Sequence, residues 1–191
     1  ARFVATVESM GHATYHICRA ECDAPAIAAT ERMLENDLLR AKFDTNGHLI
    51  SLLDKAAGRE AIAPGEKANE LILFEDKPAQ WEAWDVDIFY NDKPLESAKL
   101  VSAEVIETGP VRSVLRLTRT VSKSTIVQDV ILSAGSARLD FVTTIQWADE
   151  KQVLLKAAFP VNVRSETCRY EIQYGSVERP THWNTPADFA K

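Results

Sequence analysis

In residues 138–147, RLDFVTTIQW, the large apolar side chains fall on one parity: Leu139, Phe141, Thr143, Ile145 and Trp147 share it, and Asp140, Val142, Thr144 and Gln146 take the other. A period of two marks a half-buried strand, because successive side chains of an extended backbone point to opposite faces. Leu139, Phe141, Ile145 and Trp147 are therefore expected to face a core. Extended readings of the same kind apply to 13–20, 38–43, 48–54, 100–107, 111–121, 124–132, 152–161 and 168–175. Turn residues punctuate them: Asn46-Gly47 suits positive φ, Gly109-Pro110 breaks one run, and Gly135-Ser136 separates two more. Segment 24–37, APAIAATERMLEND, lacks a sustained apolar stripe and reads as loop, strand or one helical turn. Extended runs joined by short turns, without alternating helices, predict an all-β antiparallel sandwich over residues 1–191, two layers deep, with less than about a tenth of the chain in helix.

With 46% hydrophobic residues, a chain of 191 can bury one substantial core, which sets the expectation of a single domain. A net charge of −6 and a pI near 5.3 argue against nucleic acid or an anionic membrane as partner and favour a neutral or cationic one. Cys18, Cys22 and Cys168 are an odd number, no Asn-x-Ser/Thr acceptor occurs, and no apolar run approaches a membrane span. The expectation is a soluble, cytoplasmic protein. The chain opens ARFVATVESMG without an initiator Met and stops at TPADFAK, and so reads as an excised piece of a longer polypeptide.

Phosphate loops, nucleophile elbows and zinc helices are absent from the sequence. His12 and His16 stand four apart in a run read as strand, where they are ordinary side chains on one face, and Cys18 and Cys22 read as small buried thiols. Arg112, Arg116 and Arg119 read as the solvated polar side of one long strand. Two segments stand apart. FEDKPAQWEAWDVD (74–87) sets Trp81 and Trp84 among five acidic residues, and GSVERPTHWNTPAD (175–188), read as a loop, gathers Glu178, Arg179, His182, Trp183 and Asn184 around prolines. Aromatic planes beside carboxylate, amide and guanidinium groups are what a neutral, hydroxyl-rich sugar requires. Core or interface anchoring by the tryptophans, with turn-capping charges, is the alternative.

Four stretches arrive in order: LLRAKFDTNGHLISLLDKAAGREAI, NELILFEDKPAQWEAWDVD, WADEKQVLLKAAFPV and YEIQYGSVERPTHWNT. Together they resemble the C-terminal β-domain of glycoside hydrolase family 38, the α-mannosidases, in the branch found in bacteria and in the eukaryotic cytosol. Glu82 departs from the Asp that the pattern carries between the tryptophans. The resemblance implies a galactose-mutarotase-like sandwich, truncated here, within a larger enzyme. That enzyme's barrel domain holds a zinc ion and performs retaining hydrolysis of α-mannosides with an aspartate nucleophile and a second carboxyl as acid and base. No catalytic or metal-binding residue is assigned to this chain, and no cofactor within it. Trp81, Trp84, Asp85, Asp87, Arg179, His182 and Asn184 are expected to bind substrate or to meet the enzyme's own catalytic domain, gathered at one end of the sandwich. At least one of Trp81 and Trp84 is expected to be exposed, Asp85 and Asp87 are expected on one strand face, and one sheet edge is expected to be unpaired or covered by a second copy in a homo-oligomer. Two other readings stay open: a stand-alone carbohydrate-binding or mutarotase-like module, whose only obvious acid and base pair is Glu178 and His182, and a purely architectural domain.

Overall fold

The computed structural model describes residues 2–16, 26–81, 84, 86–148 and 151–185. Fourteen strands follow one another: β1 (Ala28–Thr30), β2 (Met33–Glu35), β3 (Leu39–Phe43), β4 (Leu49–Asp54), β5 (Arg59–Glu60), β6 (Glu70–Glu75), β7 (Pro94–Ser97), β8 (Lys99–Glu107), β9 (Arg112–Val121), β10 (Ser124–Ser133), β11 (Leu139–Gln146), β12 (Val153–Ala158), β13 (Thr167–Ile172) and β14 (Gly175–Pro180). The only helical element among the described residues is a 3-10 turn, Ile88–Asp92. Every strand pairing among the described residues is antiparallel, in the orders β1-β2-β3-β4-β5, β11-β10-β9-β8, β12-β6-β7 and β13-β14. The fold is an all-β sandwich, as the alternation predicts.

Strands β9 and β10, ten residues each, form its spine. Along one half of their inner face Leu115, Leu117, Val130 and Leu132 pack with Leu34, Leu39, Ala41, Phe43 and Leu49 from β2, β3 and β4. Along the other half Val121 and Ile126 pack with Leu71, Leu73 and Ala98, at the β6–β7 sheet. The five-stranded and three-stranded sheets thus cover successive lengths of one long sheet. Each of the Val, Leu, Ile and Phe side chains among these contributes about 1.5–3 kcal/mol through burial.

Between the two apolar clusters lies a buried polar group. Arg119 is 1% exposed; it donates from Nη1 to Gln128 Oε1 (2.9 Å) and from Nη2 to the Gly47 carbonyl (2.6 Å). Asn69 Nδ2 donates to the same Gln128 oxygen (2.7 Å), and Gln128 Nε2 donates to Thr143 Oγ1 (2.9 Å). Burial pulls the Arg119 guanidinium down to about 10 against the opposing attraction of Asp44. The expectation of three solvated arginines is corrected here. Arg112 pairs with Glu107 and Arg116 forks onto Asp129 (2.7 and 2.8 Å), both half-exposed, whereas Arg119 has the opposite parity and shares its face with Leu115, Leu117 and Val121.

The turn from β3 to β4 reaches this cluster. Asp44 accepts the backbone N–H groups of Asn46 (2.8 Å) and His48 (2.9 Å), and Gly47 takes φ +74°. A Cβ at Gly47 would lie 3.1 Å from both Arg119 Nη2 and Leu100 Cδ1. Gly47→Ala is expected to cost about 1–3 kcal/mol, since it adds a left-handed backbone penalty to a close approach. Thermal melts of the two proteins would show it, and an unchanged midpoint would contradict the account.

Other expectations are corrected. Ile145 and Trp147 are 44% and 41% exposed, because β11 is an edge strand and the apolar cluster reaches only Leu139 and Phe141 on it. Segment 24–37 contains β1 and β2. Within 13–20, the described residues 13–16 form no strand, having no ladder partner among the described residues; residues 17–20 lie outside them, as do Cys18 and Cys22. Strands β6 and β7 lie outside the runs that alternation marks as extended, and 175–180 is a strand rather than a loop. The outer edges of β8 and β11 pair with no other described strand. No described helix is long and apolar enough to cross a membrane.

Several carboxylates are held below their usual range. Glu107 falls to about 2 through hydrogen bonds from Arg112 and then Arg2, and Asp129 is lowered by Arg116. For Asp44, burial pushes upward but the hydrogen bonds from His48 and Asn46 outweigh it. Depressed folded-state values mean stability present above pH 4.5 and lost as pH falls toward about 2. Acid unfolding is expected in that window, and Glu107→Gln should flatten it; identical acid titrations for both proteins would contradict the assignment.

Candidate functional site

The tryptophan segment is the connection from β6 to β7, and its ends are clamped together. Glu75, the last residue of β6, accepts from Lys77 (2.6 Å) and Lys93 (3.0 Å), and these hydrogen bonds lower its pKa. Backbone bonds tie Glu75 to Lys93 (3.0 Å) and Asp76 to Gln152 (2.8 Å). Within the loop Asp87 Oδ2 accepts the Ala79 N–H (3.0 Å), and the Trp84 N–H donates to the Trp81 carbonyl (2.9 Å) across a turn in which Trp81 has φ +64°. Positive φ in a tryptophan is unusual and costs about 1–3 kcal/mol. Asp87 then leads into the 3-10 turn rather than standing on a strand, which corrects the expectation of a shared strand face with Asp85. Asp85 itself lies outside the described residues.

The loop leaves its aromatic groups in two environments. Tyr90 packs edge-on against Phe74 (5.5 Å, 89°), and the Lys156 ammonium sits over its ring (4.4 Å) while donating to its hydroxyl. Trp81 and Trp84 are 72% and 90% exposed, so both meet the expectation of exposure. Where the two ends of the connection meet, a cleft of about 300 Å³ has walls that include Glu75, Asp76, Asp87, Phe89, Tyr90 and Asp92. Carboxylates outnumber the two lysines there, Lys77 and Lys93, both of which are engaged by Glu75. Such a surface can accept hydrogen bonds from hydroxyl or cationic groups and offer flat apolar planes beside them. Sequence reading missed Phe89, Tyr90 and Lys156: the first two follow the tryptophans directly, but Lys156 arrives from β12 and carries no local signal.

The second segment begins on β14. Arg179 stands opposite Cys168 of β13, and Glu178 opposite Arg169, with which it forms an ion pair. Arg179, His182 and Asn184 are exposed, and Trp183 is 55% exposed. The tryptophan loop leaves β6 after Glu75, beside Val153, whereas the chain to β13 leaves β12 after Ala158, beside Glu70. The two segments are therefore attached at opposite ends of the β6–β12 pair. Among the described residues no group of three His, Cys, Asp or Glu side chains is arranged to hold a metal.

Comparison with known proteins agrees with the four ordered stretches. Residues 34–191 match the model of the glycosyl hydrolases family 38 C-terminal domain. The chain is 39% identical over 160 residues to "Alpha-mannosidase 2C1" of Homo sapiens, covering 83% of this chain and 15% of that protein. It is 36% identical over 170 residues to "Alpha-mannosidase G" of Dictyostelium discoideum (86% and 16%) and 33% identical over 158 residues to "Alpha-mannosidase" of Saccharomyces cerevisiae (74% and 13%). The chain thus spans about a sixth or less of the length of these relatives. With an all-β sandwich and a family match over most of its residues, the chain belongs to the glycosyl hydrolase family 38 C-terminal domain family.

Proposed function

We propose that this chain is a single sandwich domain of a larger retaining α-mannosidase, and that it supports the enzyme's catalytic domain and helps wall its mannoside site. The observation that carries this reading is the alignment of most of the chain with proteins named alpha-mannosidases in a human, a slime mould and a yeast. The exposed pair Trp81 and Trp84, with Asp85 and Asp87, would face the sugar or the catalytic domain. Arg179, His182 and Asn184 would form a second contact on a different face. The Glu178–Arg169 ion pair disfavours the mutarotase-like reading, since it occupies the carboxylate that would have to act as acid or base. A cytoplasmic setting belongs to the proposal and is supported by Cys168, a free and exposed thiol.

Binding groups that hold substrate and transition state equally do not lower a chemical barrier. Residues 1–191 alone are therefore expected to release no leaving group from an aryl α-mannoside, while the full-length enzyme hydrolyses it with retention. Turnover by the isolated chain would overturn the division of labour, and a full-length enzyme inert toward α-mannosides would overturn the activity.

A further inference from the structure

The β13–β14 hairpin has two unlike faces. Residues directly opposite in an antiparallel pair share a face, which puts Cys168, Tyr170 and Ile172 with Arg179, Val177 and Gly175 on one side. Thr167, Arg169 and Glu171 lie on the other side with Pro180, Glu178 and Ser176. The second side is polar and closes its own charges through the Arg169–Glu178 pair. The first side is apolar with one cation at its base, yet Tyr170 and Ile172 are 42% and 47% exposed and every residue of β13 is exposed. Neither strand pairs with another described strand.

That arrangement is unstable by itself. A lone two-stranded hairpin is marginal in water, and strict alternation of apolar and polar residues belongs to strands with one face on a core. We infer that the Tyr170–Ile172–Val177 face docks against another region of the same, longer polypeptide, on an apolar patch bearing a carboxylate near Arg179. The occupant is argued from length: the chain is 16% or less of its relatives, so most of such a polypeptide lies outside these residues, and an intramolecular partner is present at a far higher effective concentration than a second copy. This rests on the chain being part of a larger enzyme, not on which glycoside that enzyme cleaves.

Cys168 reports on the face, since it stands two residues before Tyr170 on the same side of the hairpin and is exposed in this chain. In the native full-length protein, alkylation of Cys168 by iodoacetamide, followed by peptide mass spectrometry, is expected to be at least tenfold slower than in the urea-unfolded protein and independent of protein concentration. Ile172→Asp should restore rapid labelling, and Glu171→Ala, on the opposite face, should leave it slow. Equally fast labelling in native and unfolded wild-type protein overturns the inference, as does protection that appears only at high protein concentration, which would mean a second copy. The wild-type measurement needs no variant to fold, and it reads docking whether or not α-mannosides are cleaved.

Discussion

Arg119→Ala is expected to destabilise the chain by about 3–5 kcal/mol, the range for breaking a fully buried charged network and leaving a cavity behind. The substitution removes the donors to the Gly47 carbonyl and to Gln128 Oε1, at the junction where the two apolar clusters of the sandwich meet. A buried carbonyl left without its donor costs about 1–3 kcal/mol by itself. Against a total stability of about 5–15 kcal/mol, and at about 2–4 °C per kcal/mol for a chain of this size, the midpoint should fall by about 6–20 °C. Arg119→Lys should not rescue it, because one ammonium cannot reproduce a planar fork that serves two acceptors. Arg116→Ala is the control: its partner Asp129 lies on the exposed face, and such pairs are worth about 0–1 kcal/mol. Chemical denaturation of the three variants decides the matter; a loss below about 1 kcal/mol for Arg119→Ala would mean that the network is not what joins the clusters.

The combined substitution Trp81→Ala and Trp84→Ala is expected to lower kcat/KM of the full-length enzyme on an α-mannoside by about 10- to 100-fold, the scale of losing central aromatic anchors at a contact. Both rings are mostly in water in this chain, so the melting midpoint of residues 1–191 should move by no more than about 2 °C. The pattern of the loss separates the two contacts the loop could make. A raised KM at constant kcat would assign the rings to ground-state binding of sugar, and a lowered stability of the full-length enzyme would assign them to docking on the catalytic domain. Unchanged kinetics together with unchanged stability would remove the loop from function.

Several features of this chain could be read without coordinates. The parity of β9 and β10 is plain in RSVLRLTRTV and STIVQDVILS, and both are strands of ten residues as the alternation requires. The Asn46-Gly47 turn is equally legible, since few residues other than glycine accept φ +74° beside a buried guanidinium. The unusual composition of 74–87 marked an exposed surface. Arg119 was legible too, because its parity matches Leu117 and Val121, but the charge of the residue outweighed its position in that reading. β6 was less visible: ELILFE is a nearly continuous apolar run that can belong to strand or helix, and the burial of Leu71 and Leu73 comes from Val121 and Ile126 of β9 and β10, far along the chain.

Local sequence determined which segments are extended, where they turn, and which residues share a face, because φ/ψ preference and side-chain alternation act within a few residues. Tertiary structure alone decided which shared faces are covered. Ile145 and Trp147 have the same parity as Phe141, yet they stay exposed because β11 is an edge strand whose far end no apolar cluster reaches. It likewise decided that Asn69, Gln128 and Arg119 meet, since their hydrogen bonds join residues up to 59 apart in the chain. It also attached the tryptophan loop and the β13–β14 hairpin at opposite ends of the β6–β12 pair. Burial depends on which distant strand arrives opposite, and that is settled by register and long-range packing, whose free energy no local pattern contains.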